Sequence, residues 1–148
     1  MKIGFDTDIL IYAQGINGPF RRKAASILIG RVAAMDTVIA VQVLGEVFNV
    51  LVRKARWAPS DAKAAVEYWQ SVSSSVATTP ELMTAAVSLA ARSRLFIWDA
   101  VILAASAQAK CNVLISEDLQ DGFVWQGVTV CNPFASTPHP LIAGLVSP

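Results

Sequence analysis

The sequence has few of the residues on which several protein classes depend. Its 148 residues include two cysteines, Cys111 and Cys131, and one histidine, His139. Without a secretory signal, two thiols do not predict a disulfide framework, and both cysteines are interpreted as small core residues. The absence of neighbouring histidines argues against a zinc site and against Ser–His or Cys–His catalysis.

Charged residues are also scarce, at 16% of the chain against 54% hydrophobic residues. Such a composition is far from that of a disordered protein. The most apolar stretch, 38–52, is interrupted by Gln42, Glu46 and Asn49. No run reaches the roughly 18 uncharged residues that a membrane span needs. We therefore expect a cytoplasmic protein that does not associate with membranes.

Positive charge is not in excess, because the net charge is only +1. Basic residues nevertheless cluster at three places, namely residues 21–23, 53–56 and 92–94. Such clusters can contact the phosphates of a nucleic acid. A run of charge is as often a solvated helix end, so the clusters leave both interpretations open.

The pattern of the chain predicts one domain in which strands alternate with helices. There are no internal repeats, no low-complexity segments and no linker. Predicted strands cover 2–5, 37–41, 112–116 and 127–130, with a possible edge strand between Ser75 and Thr78. Predicted helices cover about 20–34, 42–54, 59–73, 80–93 and 97–109. This alternation favours an α/β fold with a mostly parallel sheet.

Acidic residues directly follow two of the predicted strands. Asp6 and Asp8 come after the first strand, and Glu117, Asp118 and Asp121 come after the strand around Leu114. In open α/β sheets, ligands bind beyond the carboxyl ends of the strands. If the two strands are neighbours, both acidic groups face the same crevice.

Two further carboxylates stand in mostly apolar helices. Glu46 shares a narrow polar stripe with Gln42 and Asn49, which suits a cleft wall, although a solvated stripe is the alternative. Asp99 begins an apolar helix, where it is either an N-cap or a buried carboxylate that needs a cation. Clustered carboxylates without histidine or cysteine suit Mg²⁺ or Mn²⁺, and with basic patches nearby they are consistent with metal-dependent phosphodiester cleavage.

Four stretches carry these acidic residues: FDTDILIY at 5–12, VLGEVFNVL at 43–51, WDAVILAA at 98–105 and LISEDLQDG at 114–122. In this order and at these separations, over about residues 3–134, they resemble the PIN domain family. The similarity is greatest to the VapC-like toxins of bacterial toxin–antitoxin pairs. The resemblance implies a Rossmann-like three-layer α/β/α sandwich over residues 1–134, with a central, mostly parallel sheet. Residues 135–148 are then expected to form an irregular, proline-rich tail.

The resemblance also implies a function, a cofactor and partners. It implies an endoribonuclease that uses Mg²⁺ or Mn²⁺, acts on RNA, forms a homodimer and is bound by a VapB-like antitoxin. Asp6 and Asp99 are expected to be the principal metal ligands, with Glu46 and Asp118 completing the site directly or through water. Supporting hydroxyl groups come from Thr7 and Ser116, and the family pattern also places Asn49 and Arg53 near the cleft.

The sequence departs from the family pattern at Asp8, where asparagine is common. Asp8 is therefore either an auxiliary carboxylate or a turn residue, and Glu117 and Asp121 stay open as outer ligands beside Asp118. Two other functions are considered. One is a non-catalytic PIN-like module that binds RNA or protein. The other is a haloacid-dehalogenase-like phosphatase, which Asp6-Thr7-Asp8 resembles but which leaves Glu46 and Asp99 unexplained.

Overall fold

Strands and helices alternate along most of the chain. The computed structural model describes residues 1–33 and 35–146. Within these residues the strands are β1 (Lys2–Phe5), β2 (Asp36–Ala40), β3 (Ser74–Val76), β4 (Val113–Ile115), β5 (Val124–Trp125) and β6 (Val128–Cys131). The helices are α1 (Thr7–Ala13), α2 (Pro19–Val32), α3 (Val41–Arg53), α4 (Pro59–Val72), α5 (Pro80–Ser93), α6 (Ile97–Gln108) and α7 (Ala143–Val146).

All strands form one sheet in the order β3-β2-β1-β4-β6-β5. Every neighbouring pair is parallel except β5 and β6, which form an antiparallel hairpin at one edge. The sheet is flanked by helices, so the predicted α/β/α sandwich with a mostly parallel central sheet is confirmed. The chain moves outward from β1 to β3 and then returns to the other side of β1 with β4. This reversal of direction lies between β1 and β4, where open α/β sheets usually bind their ligands.

Most of the predicted elements are present within one or two residues of their predicted bounds. Strand β4 is buried at all three positions, as its continuous apolar run indicated. Helix α5 begins at Pro80, and the Thr79 hydroxyl caps it by accepting from the Leu82 N–H at 3.2 Å. The predicted edge strand is β3. The helix predicted to reach Ala34 ends at Val32, and Ala34 itself lies outside the described residues.

Besides α7, two elements were not predicted. Helix α1 has four consecutive buried residues, Ile9 to Tyr12, so it lacks the alternation of polar and apolar faces that marks a surface helix. Strand β5 has two residues and pairs with β6 across Gln126 and Gly127. Both of these residues have positive φ, at 44° and 83°, which is typical of a tight two-residue hairpin turn.

The segment after residue 134 differs in part from the irregular structure expected there. Ala143–Val146 forms one helical turn that packs against α2, and the Ile142 side chain is fully buried. The Arg31 guanidinium donates to the Leu145 carbonyl at 3.1 Å. The expectation of a wholly irregular tail is therefore wrong for residues 143–146, because an apolar anchor holds this turn on the domain. Residues 147 and 148 lie outside the described part of the chain.

The core lies on and around the central strands. Ile3, Leu114 and Leu103 are among its fully buried side chains. Cys111 and Cys131 are buried free thiols, as predicted, and burial raises the pKa of each to about 11. Among the described residues, no helix combines the length and the apolar character that crossing a bilayer requires.

Candidate active site

The carboxyl ends of β1 and β4 bring two acidic segments together. Phe5 stands opposite Ile115 in the parallel ladder, and the Asp6 N–H donates to the Ile115 carbonyl at 2.9 Å. The Ser116 hydroxyl donates to Asp6 Oδ2 at 2.6 Å. The two strands are therefore neighbours. The prediction that both acidic groups face one crevice depended on this condition.

Asp6 lies at the junction of β1 and α1 and is only 4% exposed. It is the N-cap of α1, because its Oδ1 accepts from the Thr7 N–H at 2.7 Å. Burial raises the pKa of Asp6 to about 6, and the charges of Asp99 and Glu46 add to this rise. The hydrogen bonds from Ser116 and Thr7 oppose the rise, since they stabilise the carboxylate. Asp6 is therefore both the N-cap of α1 and a carboxylate of the crevice between β1 and β4.

Glu46 projects from α3 and is held in place by two donors. The Thr7 hydroxyl donates to Glu46 Oε2 at 2.5 Å, and the Gln42 amide donates to Oε1 at 2.8 Å. Gln42 and Glu46 are four residues apart, so they lie on the same face of the helix. These bonds fix the orientation of the carboxylate before any ligand binds.

Asp99 and Asp118 complete the acidic group. Asp99 is the third residue of α6, whose N-cap is Phe96, so the interpretation of Asp99 as the N-cap is wrong. Burial raises the pKa of Asp99, and the charges of Asp118 and Glu46 raise it further. Asp118 lies in the loop after β4 and is exposed. These mutual effects indicate that the carboxylates are close enough to repel one another.

Asp6, Glu46, Asp99 and Asp118 line one cleft of about 390 Å³. Its described lining contains five carboxylates from four segments, namely Asp6, Asp8, Glu46, Asp99 and Asp118. The other described lining residues are Thr7, Ile11, Tyr12, Ile16, Asn17, Val50, Lys54 and Ala55. The sequence therefore identified every acidic residue of the cleft.

The side chains of the cleft fit a hard divalent cation. Its potential ligands are oxygen atoms, without histidine or cysteine among the described lining residues, which is the donor set that Mg²⁺ and Mn²⁺ prefer. The carboxylates surround the space but do not close on one point: no three His, Cys, Asp or Glu side chains in the described ranges form a ready-made metal site. This suits an ion that keeps several of its waters, because water can span the remaining distances.

Asp8 uses both of its oxygens within the protein. Oδ1 accepts from the Ile9 N–H at 2.8 Å, and Oδ2 accepts from the Glu117 N–H at 2.9 Å. Burial, followed by the charge of Asp6, raises the pKa of Asp8 to about 8. Asp8 thus ties the start of α1 to the loop after β4, in addition to lining the cleft.

Glu117 is neutralised by a neighbouring cation. The Arg21 Nε donates to Glu117 Oε1 at 3.0 Å, and the Tyr12 hydroxyl donates to Oε2. The Arg21 guanidinium also lies 5.6 Å from the centre of the Tyr12 ring and 5.4 Å from that of Phe134. Hydrogen bonding by Arg21 holds the pKa of Glu117 below its ordinary value. Glu117 therefore does not line the cleft but connects the loop after β4 to α1 and α2.

The remaining sequence candidates lie apart from the cleft lining. Asp121 Oδ1 accepts from the Asn132 N–H at 2.8 Å and so stabilises the end of β6. Asn49 lines a neighbouring depression together with Gln42 and Glu46. Arg53 is exposed and is not among the described residues that line the cleft. The next residue, Lys54, does line it, and only the basic run at 53–56 pointed to it.

We predict that Ser116→Ala destabilises the protein by about 2 kcal/mol. Removing a buried hydroxyl leaves its hydrogen-bond partners unpaired, and each unpaired buried polar group costs about 1–3 kcal/mol of stability. Ser116 is fully buried, donates to Asp6 and accepts from the Leu119 N–H at 3.2 Å. Urea unfolding near pH 7 measures the change. Ser106→Ala is the matched control, since the Ser106 hydroxyl is also buried but donates only to the Ile102 carbonyl within α6. Equal losses of stability in the two variants would contradict the inference that Ser116 stabilises the Asp6 carboxylate.

Most of the sequence matches a known family. The model of the PIN domain matches residues 3–120, and the chain therefore belongs to the PIN domain family. No curated protein sequence matches the chain significantly. The matched region contains Asp6, Glu46, Asp99 and Asp118, which are the carboxylates on which the resemblance was based.

Solved structures of toxins share the fold at low sequence identity. The VapBC2 structure from Rickettsia felis, bound to a DNA fragment from its promoter, has a TM-score of 0.63 at 12% identity and covers 88% of this chain and 97% of that one. A toxin–antitoxin complex from Klebsiella pneumoniae has a TM-score of 0.63 at 22% identity, with coverage of 86% and 95%. VapC20 of Mycobacterium tuberculosis, a toxin that cleaves the sarcin–ricin loop, has a TM-score of 0.61 at 22% identity, with coverage of 76% and 86%.

Proposed function

We propose that this protein is a metal-dependent endoribonuclease and the toxin of a VapBC-type toxin–antitoxin pair. The observation that carries the proposal is the cleft between β1 and β4, where five carboxylates from four segments meet in a PIN fold. Single-stranded RNA is the proposed substrate, and Mg²⁺ or Mn²⁺ the proposed cofactor. The similarity to VapC structures supports the toxin assignment, because the shared fold extends over most of this chain.

The residues of the cleft have two proposed roles: some bind the cation, and others orient the carboxylates that bind it. Asp6 and Asp99 would hold the cation, with Glu46 and Asp118 contributing directly or through water. The hydrogen bonds from Ser116 and the Thr7 N–H favour the charged form of Asp6, while Thr7 and Gln42 fix the orientation of Glu46. An ion held there would supply a water of lowered pKa and positive charge beside the phosphoryl oxygens. Cleavage of this kind needs no nucleophilic side chain, which agrees with a cleft that has no serine, cysteine or histidine among its described lining residues.

We also propose that a VapB-like antitoxin binds this protein and that two copies form a homodimer. Two of the three structural neighbours described above are VapBC or toxin–antitoxin complexes, which supports the antitoxin. A non-catalytic PIN-like module is less well supported, since all four carboxylates of the resemblance line one cleft. The phosphatase alternative conflicts with membership of the PIN family and with Asp121, whose carboxylate binds the Asn132 N–H rather than facing the cleft.

Incubation of the purified protein with single-stranded RNA tests the proposal. We expect cleavage with Mn²⁺ or Mg²⁺, none with excess EDTA, and products that carry a 5′ phosphate and a 3′ hydroxyl. A generic phosphate ester in a parallel reaction should not be hydrolysed. RNA binding without cleavage under several metals would replace the nuclease with the non-catalytic module. Cleavage that survives EDTA would exclude the metal mechanism.

A further inference from the structure

The described lining of the acidic cleft contains one positively charged side chain. Of the thirteen described residues that line it, Lys54 alone is cationic, against five carboxylates. An acidic cleft repels a polyanion, so a nuclease that uses it needs cations to attract and place the substrate. Bound metal can offset part of the repulsion at the carboxylates themselves. The metal does not supply a positive charge for the neighbouring phosphates of the strand, which lie farther along the cleft.

The helix α3 determines where Lys54 lies relative to the carboxylates. Glu46, Val50 and Lys54 follow one another at intervals of four residues, so they form one face of the helix, and all three line the cleft. Lys54 is the C-cap residue of this helix, and its backbone N–H donates to the Val50 carbonyl at 2.9 Å. At a rise of 1.5 Å per residue, it lies about 12 Å along the helix from Glu46. Among the described residues, Lys54 and Glu46 form no ion pair.

The side chain of Lys54 is available for a ligand. Within residues 1–33 and 35–146, its ammonium forms no ion pair with a carboxylate. Arg21, the other cation close to the carboxylate loop, is already occupied by Glu117. Arg53, which the family pattern favours, does not line the cleft. Among the described lining residues, the free cation is therefore Lys54.

We propose that Lys54 binds a backbone phosphate of single-stranded RNA next to the phosphate that is cleaved. This inference rests on the proposed nuclease function and adds a substrate-positioning residue to it. Lys54 offers a compact charge with three donors, which suits a phosphate of any sequence. The contact aligns the strand along α3, with the neighbouring phosphate at the carboxylates. Since it does not touch the reacting atoms, it acts on substrate binding.

The salt dependence of RNA binding tests the contact without requiring cleavage. The test compares the Asp99→Asn variant, which does not cleave RNA, with a double variant that carries both Asp99→Asn and Lys54→Ala. With a labelled single-stranded RNA and EDTA in place of metal, we expect Lys54→Ala to weaken binding about tenfold at low salt. The slope of log K against log salt concentration should fall in magnitude by about 0.7, the value for one phosphate contact on a single strand. Lys54→Arg should keep the slope of its parent.

Lys110→Ala is the matched control, because it removes the same charge at the opposite end of β4. Lys110 lies three residues before this strand begins at Val113. In the cleaving protein, Lys54→Ala should raise KM about tenfold and change kcat less than threefold. An unchanged salt slope, or an equal change in Lys110→Ala, would overturn the role of Lys54. Absence of cleavage by the wild-type protein would instead refute the nuclease proposal, while the binding measurement would still decide the role of Lys54.

Discussion

Replacing Asp99 with asparagine should reduce RNA cleavage by about a thousandfold or more and leave the protein folded. Asp99 is one of the two proposed principal ligands, and loss of a charged group that stabilises a transition state costs factors of about 10²–10³ or higher. Among the described residues its carboxylate forms no hydrogen bond or ion pair, and burial, followed by the charges of Asp118 and Glu46, raises its pKa. Without metal, asparagine therefore relieves repulsion, and the melting temperature should stay equal or rise. Initial rates with excess Mn²⁺ and thermal unfolding in EDTA measure both effects.

Asp61→Asn is a close control for this variant. Asp61 is the third residue of α4, as Asp99 is of α6, and it is exposed outside the cleft. Both substitutions remove one negative charge from the first turn of a helix, where acidic residues are favoured. We expect Asp61→Asn to cleave RNA at the wild-type rate and to lose a few tenths of a kcal/mol in stability. An Asp99→Asn protein as active as Asp61→Asn would refute the assignment of Asp99 as a metal ligand.

The metal-free protein should become less stable as the pH rises from 5 to 8. The folded protein raises the pKa of Asp6 to about 6 and that of Asp8 to about 8, from an ordinary value near 3.8. In this window the folded state holds a proton that the unfolded chain has released, so stability is highest at low pH and is lost as these groups ionise. One extra proton held over about three pH units corresponds to a loss on the order of 4 kcal/mol. Urea unfolding in EDTA across the window measures the loss.

Manganese should reverse this trend. Deprotonated carboxylates bind the ion and the unfolded chain does not hold them together, so stabilisation by a fixed excess of Mn²⁺ should grow with pH. Asp8→Asn removes the group with the most raised pKa and should flatten the metal-free profile. Glu117 has a lowered pKa and acts in the opposite direction, but only below pH 5. A metal-free stability that rises from pH 5 to 8 would contradict the repulsion inferred in the cleft.

The sequence contains enough information to predict the sheet and the acidic residues of the cleft. β1 and β4 were visible as short apolar runs, and each is followed at once by carboxylates. Since parallel strands end at the same edge of a sheet, Asp6 and Asp118 could be placed together before the structure was known. Asp99 could be placed at the start of a helix, although the exact N-cap, Phe96, could not be identified.

The parts that sequence reasoning missed depend on contacts between distant segments. The bond from Tyr12 to Glu117 spans 105 residues, and that from Arg21 spans 96, so no local pattern reveals either. Helix α1 escaped prediction because it is buried on all sides near its centre. Lys54 and Arg53 differ by one position, which on a helix is about 100° of rotation. Only the packing of α3 decides which of the two enters the cleft.

The most direct test of the metal centre is the anomalous scattering of a crystal of this protein soaked in Mn²⁺. We expect one or two anomalous peaks in the cleft beside Asp6 and Asp99, and no such peak in Asp99→Asn crystals soaked in the same way. The same experiment identifies which oxygens of Glu46 and Asp118 contact the ion and which act through water. A cleft without an anomalous peak in the wild-type crystal, under conditions in which the protein cleaves RNA with Mn²⁺, would contradict the proposed mechanism.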